Sequence, residues 1–516
     1  MKNIVVVGGG TAGWITALYA KQIFPDDNIT LVESPEIGIL GAGEGSTRQL
    51  ISILKYLDIA IEDLIKETKC TIKTGIKFTN WSKEKDYYYH DFTHEGSIFD
   101  ESGFDRGRNN FDFPILKYER LLNIVEKNTN TSVNDEYSDN KLLPFTALAE
   151  TENNKSFLHS WNIHSDYSIH FDARLLASFL SNVGVLRKIK LIKGEVVNIE
   201  TNNQNDIVAL KLNNNDTILT DFVFDCSGFA RLIIGKHYNS KWQSFSEYLP
   251  MKRALPFFID IDTENIPSYT EAIAMDYGWI WKIPLQHRYG CGYVFDSDYI
   301  NEDQAQEEIE KFLGFKPTYP KTNGKSFIFD PGFFEEVWIN NCLAVGLSSG
   351  FLEPLEATSI GQSILLLQRF FMQKHKIFSN DVEIKKLFNE YYIRDAKSIV
   401  DFLSLHYTTN KDNSDFWINF NKNNKKSQNL LNNLEILKNS TLTKLYDEIW
   451  FSKDSYYIVA LGNNLVDLNN INKIYKEFID ENKHSELVSF ILNKKNISKD
   501  FIKHSDFLKH IGGLQQ

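Results

Sequence analysis

The chain has 516 residues and a formal net charge of −12 at pH 7, and an acidic balance of this kind argues against a nucleic-acid partner, which would show as a basic stripe. No apolar run reaches the roughly 18 residues of a membrane span. The four cysteines, Cys70, Cys226, Cys291 and Cys342, lie far apart without C-x-x-C spacing, so neither a metal site nor a disulfide framework is expected.

Ile4-Val5-Val6-Val7 predicts a buried strand, and because it starts by residue 4 it leaves no room for a signal peptide; a cytoplasmic protein is expected. Gly8, Gly10 and Gly13 follow as G-x-G-x-x-G. The first allows a tight turn, the second a close approach of a pyrophosphate, and the third close packing of helix on sheet. A phosphate would sit on the first turn of a helix opening at Thr11 and Ala12, where unpaired N–H groups and the macrodipole favour negative charge. That helix, to Ile23, leads into a second strand, Ile29 to Val32. The strand ends on Glu33, placed to accept hydrogen bonds from an adenosine ribose.

A second glycine-rich loop, Gly38 to Thr47, contains Gly43, Glu44, Gly45 and Ser46 and opens a helix from about Arg48 to Leu57. Its composition suggests backbone packed against a flat ligand, with a flexible surface loop as the alternative. A short helix is expected at Asp63 to Glu67. Thr71 to Trp81 alternates like a single strand with Lys73 and Lys77 on one face, and spacing alone makes that a solvated face. The aromatic cluster Tyr87 to Phe92 lines a flat pocket or belongs to the core.

His170 to Leu176 reads as a turn into an amphipathic helix. Val196 to Ile199, which includes Val197, pairs as a hairpin with Ile207 to Leu212 across the polar turn Asn202 to Asp206. The strand Phe222 to Asp225 runs to Gly228, suited to a second backbone approach to the dinucleotide. In the strand-rich stretch Met251 to Phe295, alternation places Trp279 and Trp281 on one face of a strand that Pro284 ends. Cys342 to Gly350 repeats the strand-then-glycine theme at Gly346, and a helix is expected from Gly361 to Phe371. Cys226 and Cys342 read as small core residues. Beyond Ser379 the pattern is mostly helical and ends in a charged tail.

Together these pieces resemble the flavin-dependent tryptophan halogenases, a branch of the flavin monooxygenase superfamily. The resemblance rests on G-G-G-T-A-G-W at Gly8 to Trp14, G-E-G-S-T at Gly43 to Thr47, K-x-x-x-K-F-x-N-W from Lys73 to Trp81, and Y-H-x-F at Tyr89 to Phe92. It continues through H-F-D-A from His170, D-C-S-G from Asp225, W-x-W-x-I-P from Trp279, E-P-L-E-A-T from Glu353, and F-W at Phe416. It covers about residues 1 to 420, and W-x-W-x-I-P is its most discriminating part.

The resemblance implies an α/β, Rossmann-like FAD-binding fold of the flavin monooxygenase type, with a strand-rich substrate module and a mainly helical C-terminal part. A discontinuous FAD-binding and halogenation module would span residues 1–378, with substrate-side segments at about 80–165 and 240–330, and residues 379–516 would complete the substrate side. It implies further that reduced FAD, O2 and halide yield hypohalous acid, which travels through a tunnel to Lys73. Lys73 would hold it by hydrogen bonding or carry the halogen on its amine, and burial would lower its pKa. Glu356 matches the second catalytic residue, a base for the ring proton; read alone, it is helix-end charge compensation. Thr358 and Ser359 match the halide site. Trp279, Trp281 and Pro284 match the tunnel residues that keep substrate from the flavin, and His90 and Phe92 those that stack on the aromatic ring. The cofactor set is Gly8, Gly10, Thr11, Ala12, Gly13, Glu33, Gly43, Glu44, Gly45, Ser46, Val197, Asp225, Gly228 and Gly346.

Around the halide threonine, tryptophan-specific members commonly carry serine then glycine, whereas this chain has Ala357 and Ser359. Only one dinucleotide fingerprint is present, so a separate flavin reductase is expected to supply FADH2. The substrate class is an indole or other electron-rich arene, as a small molecule or in a peptide. A flavin hydroxylase and a non-catalytic flavin-fold binding protein are the competing readings. The halide, the regiochemistry and the assembly state, a homo-oligomer included, stay open at this point.

Overall fold

The computed structural model describes residues 1–36, 43–83, 86–91, 167–320, 326–379, 381–439, 445–446, 450–467 and 504–514. The chain forms two compact units, each assembled from three separate stretches. The first comprises Met1–Lys69, Phe171–Lys252 and Ile328–Lys397; the second comprises Cys70–His170, Arg253–Phe327 and Ser398–Gln516.

The first unit is built on a six-stranded sheet whose central strand, Asn3–Val7, runs parallel to Asn28–Glu33 on one side and to Phe222–Asp225 on the other. Lys190–Lys193 extends one edge, and Cys342–Ala344 followed by Trp338–Ile339 the other. The β-branched run buries completely: Ile4, Val5 and Val6 are at most 1% exposed. The helix Thr11–Ile23 covers the sheet. Its Trp14 is so close to the helix Ala173–Leu186 that a Cβ at Gly184 would lie 2.5 Å from the indole. The carboxyl ends of the parallel strands and the first turn of Thr11–Ile23 therefore meet at one edge of the sheet, the place where open α/β folds bind ligands. The expected hairpin is present, as Val196–Thr201 paired antiparallel with Ile207–Leu212.

The second unit holds the seven-stranded sheet, in the order Phe327–Ile328, Arg253–Ile259, Tyr289–Phe295, Gly278–Pro284, Tyr269–Ala274, Gly75–Thr79, Tyr87–Asp91. Tyr269–Ala274 pairs parallel with Gly75–Thr79, and the neighbouring pairs are antiparallel. One face carries a core that includes Leu255, Phe257, Ile280, Tyr293 and Phe295, closed by Ala305 and Ile309 of the helix Glu302–Leu313. The long helix Val382–Tyr407 begins in the first unit and ends in the second.

Three expectations need correction. Thr71 to Trp81 is not one strand. Thr74 donates its N–H to Ser268 O at 2.7 Å, and the break separates Thr71–Lys73, paired antiparallel with Ser168–Phe171, from Gly75–Thr79 in the large sheet. Lys73 and Lys77 therefore share no face, and the solvated reading fails for Lys73, which is 0% exposed. Lys77 is half-buried, its Nζ lying 4.3 Å from the centroid of the Tyr87 ring. Second, Ser168–Phe171 is a strand, and the turn into the following helix is the single residue Asp172, whose carboxylate caps it by accepting from Arg174 N and Leu175 N. Third, the helix expected from Gly361 starts three residues earlier, as Thr358–Met372. Residues 38–42 and Phe92 lie outside the described residues, as does 92–166, most of the first substrate-side segment. All four cysteines are free and buried, and among the described residues no His, Cys, Asp and Glu group could hold a metal ion.

Candidate active site

In the first unit the glycine turn is shaped by contacts that exclude a side chain. Gly8 has φ +121°, and a Cβ there would lie 2.1 Å from Cys226 O; at Gly13 it would lie 1.9 Å from Gly8 O. A Cβ at Gly10, by contrast, would meet nothing within 4 Å, so space is open in front of the helix start. The first turn of Thr11–Ile23 contains no acidic residue, and its cap residue, Gly10, offers no side chain to the free N–H groups. These features fit a pyrophosphate, which would fill the open space and accept from those N–H groups. Glu33 ends its strand beside this turn, with its Oε2 where a Gly9 Cβ would be, and forms an ion pair with Lys193. The Gly346 turn, φ +72°, approaches Ala12 closely.

Asp225 is fully buried, and its carboxylate organises the next turn. Oδ1 accepts from Ser227 N and Oγ at 3.1 and 2.6 Å, and Oδ2 accepts from Ile233 N and Ile234 N at 2.8 and 2.9 Å. The turn places Gly228 at φ +66° with open space beside it. Glu44, Gly45 and Ser46 follow Gly43 at the end of the second glycine loop. Part of the Glu44 surface is accessible, yet protein surrounds its carboxyl, whose pKa is pushed up to about 7 by burial first and the Asp172 carboxylate second. Val197 is 62% exposed on its hairpin strand.

Glu356 is 4% exposed and lies just before the helix Thr358–Met372. Ala357 between them adopts φ +54°, a left-handed conformation that an alanine takes up only at a cost of about 1 kcal/mol or more. That turn leaves the helix start without a side-chain cap. Thr358 is buried and Ser359 half-buried there.

In the second unit Lys73 closes the strand Thr71–Lys73, and the residues around it are tied by buried hydrogen bonds. The Thr71 hydroxyl donates to Pro284 O at 2.6 Å, so it accepts from His170 Nδ1 at 3.0 Å. His170 Nε2 then accepts from the Thr270 hydroxyl at 2.9 Å, which sets a neutral tautomer. Burial, then the charge of Lys73 and, once it is protonated, that of His504, hold the His170 pKa well below the ordinary value. The end of the W-x-W-x-I-P strand is thus anchored beside Lys73 through Pro284. Further along it, Trp279 and Trp281 share a face with ring centroids 6.4 Å apart. Trp279 Nε1 donates to Tyr407 OH at 2.9 Å, whereas Trp281 Nε1 finds no partner among the described residues. His90 is buried against the rings of Phe402 and Phe451, which stack 3.7 Å apart.

Sequence reasoning missed Tyr407 and His504, and met Asp172 only as part of H-F-D-A. Asp172 had a local signal, an Asp directly before an apolar helical run. The other two lie far along the chain from what they touch, and nothing local marks them.

The tryptophan halogenase family profile matches residues 3–474. The tryptophan 6-halogenase SttH of Streptomyces toxytricini is 32% identical over 364 residues, 69% of each chain. The 7-chloro-L-tryptophan 6-halogenase KtzR of Kutzneria sp. (strain 744) is 29% identical over 413 residues, 78% of each chain. Among solved structures, the flavin-dependent halogenase Xcc4156 from Xanthomonas campestris superposes with a TM-score of 0.82 at 27% identity, covering 99% of this chain and 98% of that one. A Rossmann-type sheet with its glycine turns, a buried lysine, the paired tryptophans and this breadth of similarity lead to one statement: the chain belongs to the tryptophan halogenase family of flavin-dependent enzymes.

Proposed function

We propose that this chain directs hypohalous acid, delivered through a tunnel, onto an indole or another electron-rich arene held near Lys73. The observation that carries the reading is the complete burial of Lys73 at the end of a three-residue strand. Removing an ammonium from water costs several kcal/mol before its partners offset it. A lysine kept there for stability alone would be a poor choice, whereas a lysine that must meet an oxidant away from water belongs there.

FAD, reduced by a separate reductase, supplies the chemistry that turns O2 and halide into hypohalous acid. The turn at Gly8, Gly10 and Gly13, with Thr11 and Ala12, takes the pyrophosphate, and Glu33 takes the ribose. Gly43 to Ser46, Gly228, Gly346 and Val197 would hold the rest of the cofactor, and Asp225 would act by holding its turn. N–H groups at Thr358 and Ser359 hold the halide. Lys73 hydrogen-bonds and polarises the hypohalous acid, or carries the halogen on its amine. Halogen replaces a ring hydrogen and Glu356 accepts that proton; the hydroxide from the hypohalous acid takes a proton from the Lys73 ammonium and leaves as water, or, on the haloamine route, water leaves when the N–halogen bond forms, and Glu356 returns its proton to the Lys73 amine in either case. Trp279 and Trp281, with Pro284, keep the arene away from the flavin, while His90 and Phe92 stack on it.

The test is mass spectrometry of indole-like and phenolic substrates incubated with the protein, FAD, a flavin reductase, NADH, and chloride, bromide or iodide separately. The expected result is a halogen mass shift that disappears in Lys73→Ala while oxygen consumption persists. Oxygen insertion without halogen overturns the proposal.

A further inference from the structure

The backbone on both sides of Lys73 is fixed by partners remote in sequence. On the C-terminal side, Thr74 N–H donates to Ser268 O at 2.7 Å and the Thr74 hydroxyl to the same oxygen at 3.0 Å. On the N-terminal side, Ile72 N–H donates to His504 Nε2 at 3.1 Å, across 432 positions. Pro267 O can only accept, so the 3.2 Å contact with His504 Nδ1 is donated by the imidazole. That contact leaves Nε2 as the acceptor that Ile72 needs. His504 is 0% exposed and opens the helix His504–His510. Its neighbours fasten that helix to the same segment. Ser505 Oγ donates to Glu264 O at 2.8 Å and accepts from Ile266 N at 3.3 Å, and Lys509 pairs with Glu264 at 2.7 Å. Residues 264–268 thus connect the helix on one side with Thr74 on the other.

Other residues could have satisfied Ile72 N–H, since a short edge strand normally uses a backbone carbonyl or water. Here the acceptor is a side chain whose own orientation is set by a second hydrogen bond, an arrangement found where a neighbouring group must be placed to within a fraction of an ångström. We propose that His504 is a positioning residue for Lys73: by accepting the Ile72 amide hydrogen while donating to Pro267, it fixes the strand end that aims the lysine side chain. This deepens the role proposed for Lys73 above and rests on it. It also gives the helix His504–His510 a part in the reaction.

Two variants separate the hydrogen bonds of His504. An asparagine amide reaches the Nδ1 position but not Nε2, so His504→Asn keeps the Pro267 contact and loses the Ile72 acceptor. A glutamine reaches Nε2, so His504→Gln restores that acceptor. Hydrogen–deuterium exchange of the peptide containing Ile72 and halogenated product per O2 consumed are measured on the full chain loaded with FAD and supplied with reductase. His504→Asn is expected to speed Ile72 exchange at least tenfold and cut product per O2 about tenfold with oxygen consumption maintained; His504→Gln is expected to recover most of both. Lys509→Ala removes only the solvent-exposed ion pair to Glu264, leaving the His504 and Ser505 hydrogen bonds in place, and should leave product per O2 unchanged. Unaltered Ile72 exchange in His504→Asn overturns the inference, as does faster exchange with undiminished product per O2. If the parent chain halogenates nothing, the reading of Lys73 fails, and the exchange data then report whether His504 still clamps the strand.

Discussion

Gly292→Ala addresses how Trp281, proposed above to keep the arene from the flavin, is seated. Gly292 is the cross-strand partner of Trp281, and the indole lies over it. A Cβ at position 292 would sit 2.1 Å from both Cη2 and Cζ2 and 2.7 Å from Cζ3. Ordinary carbon contacts are about 3.5–4.0 Å, so the ring must retreat by roughly 1.5 Å. Overpacking of this kind costs about 1–3 kcal/mol. In a chain of 516 residues that corresponds to about 1 °C in Tm per kcal/mol. The three atoms nearest the methyl all belong to the six-membered part of the indole, so Trp281→Phe vacates much of that space. Both single variants should be destabilised. The double variant should be more stable than their sum by about 1–2 kcal/mol, read as Tm by scanning calorimetry at a fixed rate. Alongside, Gly292→Ala should raise uncoupled peroxide or hydroxylated product at the expense of halogenated product. Additive single-variant costs would show that methyl and indole do not compete for the same volume and would refute the argument.

Acid should weaken the second unit. His504 has its pKa lowered to about 4 by burial, so between about 4 and 6.5 the unfolded chain takes up a proton that the folded chain refuses. Stability is therefore full above 6.5 and falls as pH drops, by about 2 kcal/mol from His504 between pH 7 and pH 5; His504→Gln should lose correspondingly less over that window in denaturant titrations. His170, also lowered, acts in the same direction. Glu44, raised to about 7, acts in the opposite one, gaining stability as it protonates in the folded chain. Asp225→Asn faces an amide nitrogen toward the Ile233 or Ser227 donors and should cost about 2–5 kcal/mol, measured as Tm and as loss of soluble protein. Gly13→Ala forces the glycine turn open against Gly8 O and should abolish FAD retention on gel filtration while the hairpin Val196–Leu212 keeps its exchange protection; retained FAD would refute the assigned turn.

Much of the first unit was legible because its signals are local. A β-branched run followed by glycines at fixed offsets specifies strand, turn and helix within twenty residues; in the second unit, strand alternation was enough to put Trp279 and Trp281 on one face. The surroundings of Lys73 were not legible, because what decides them is remote. Alternation from Thr71 to Trp81 has no way to register that Thr74 will bond to Ser268, 194 positions away. The early start of the helix Thr358–Met372 depends on a left-handed Ala357, and alanine carries no hint of that conformation. The tail after Ser379 looked like helices ending in charge, yet it supplies Tyr407 to Trp279 and His504 to Ile72.

The order of strands in the six-stranded sheet has a consequence for synthesis. Asn3–Val7 is a central strand, and its partner Phe222–Asp225 is made about 215 residues later, with Cys342–Ala344 later still. At about 5–20 residues per second the ribosome takes roughly 10–40 s to deliver that partner. For that time one edge of an apolar strand has nothing to pair with, and an unpaired edge is a template for aggregation. Yield of this protein should therefore respond to chaperone supply and growth temperature more than to the stability of the finished fold.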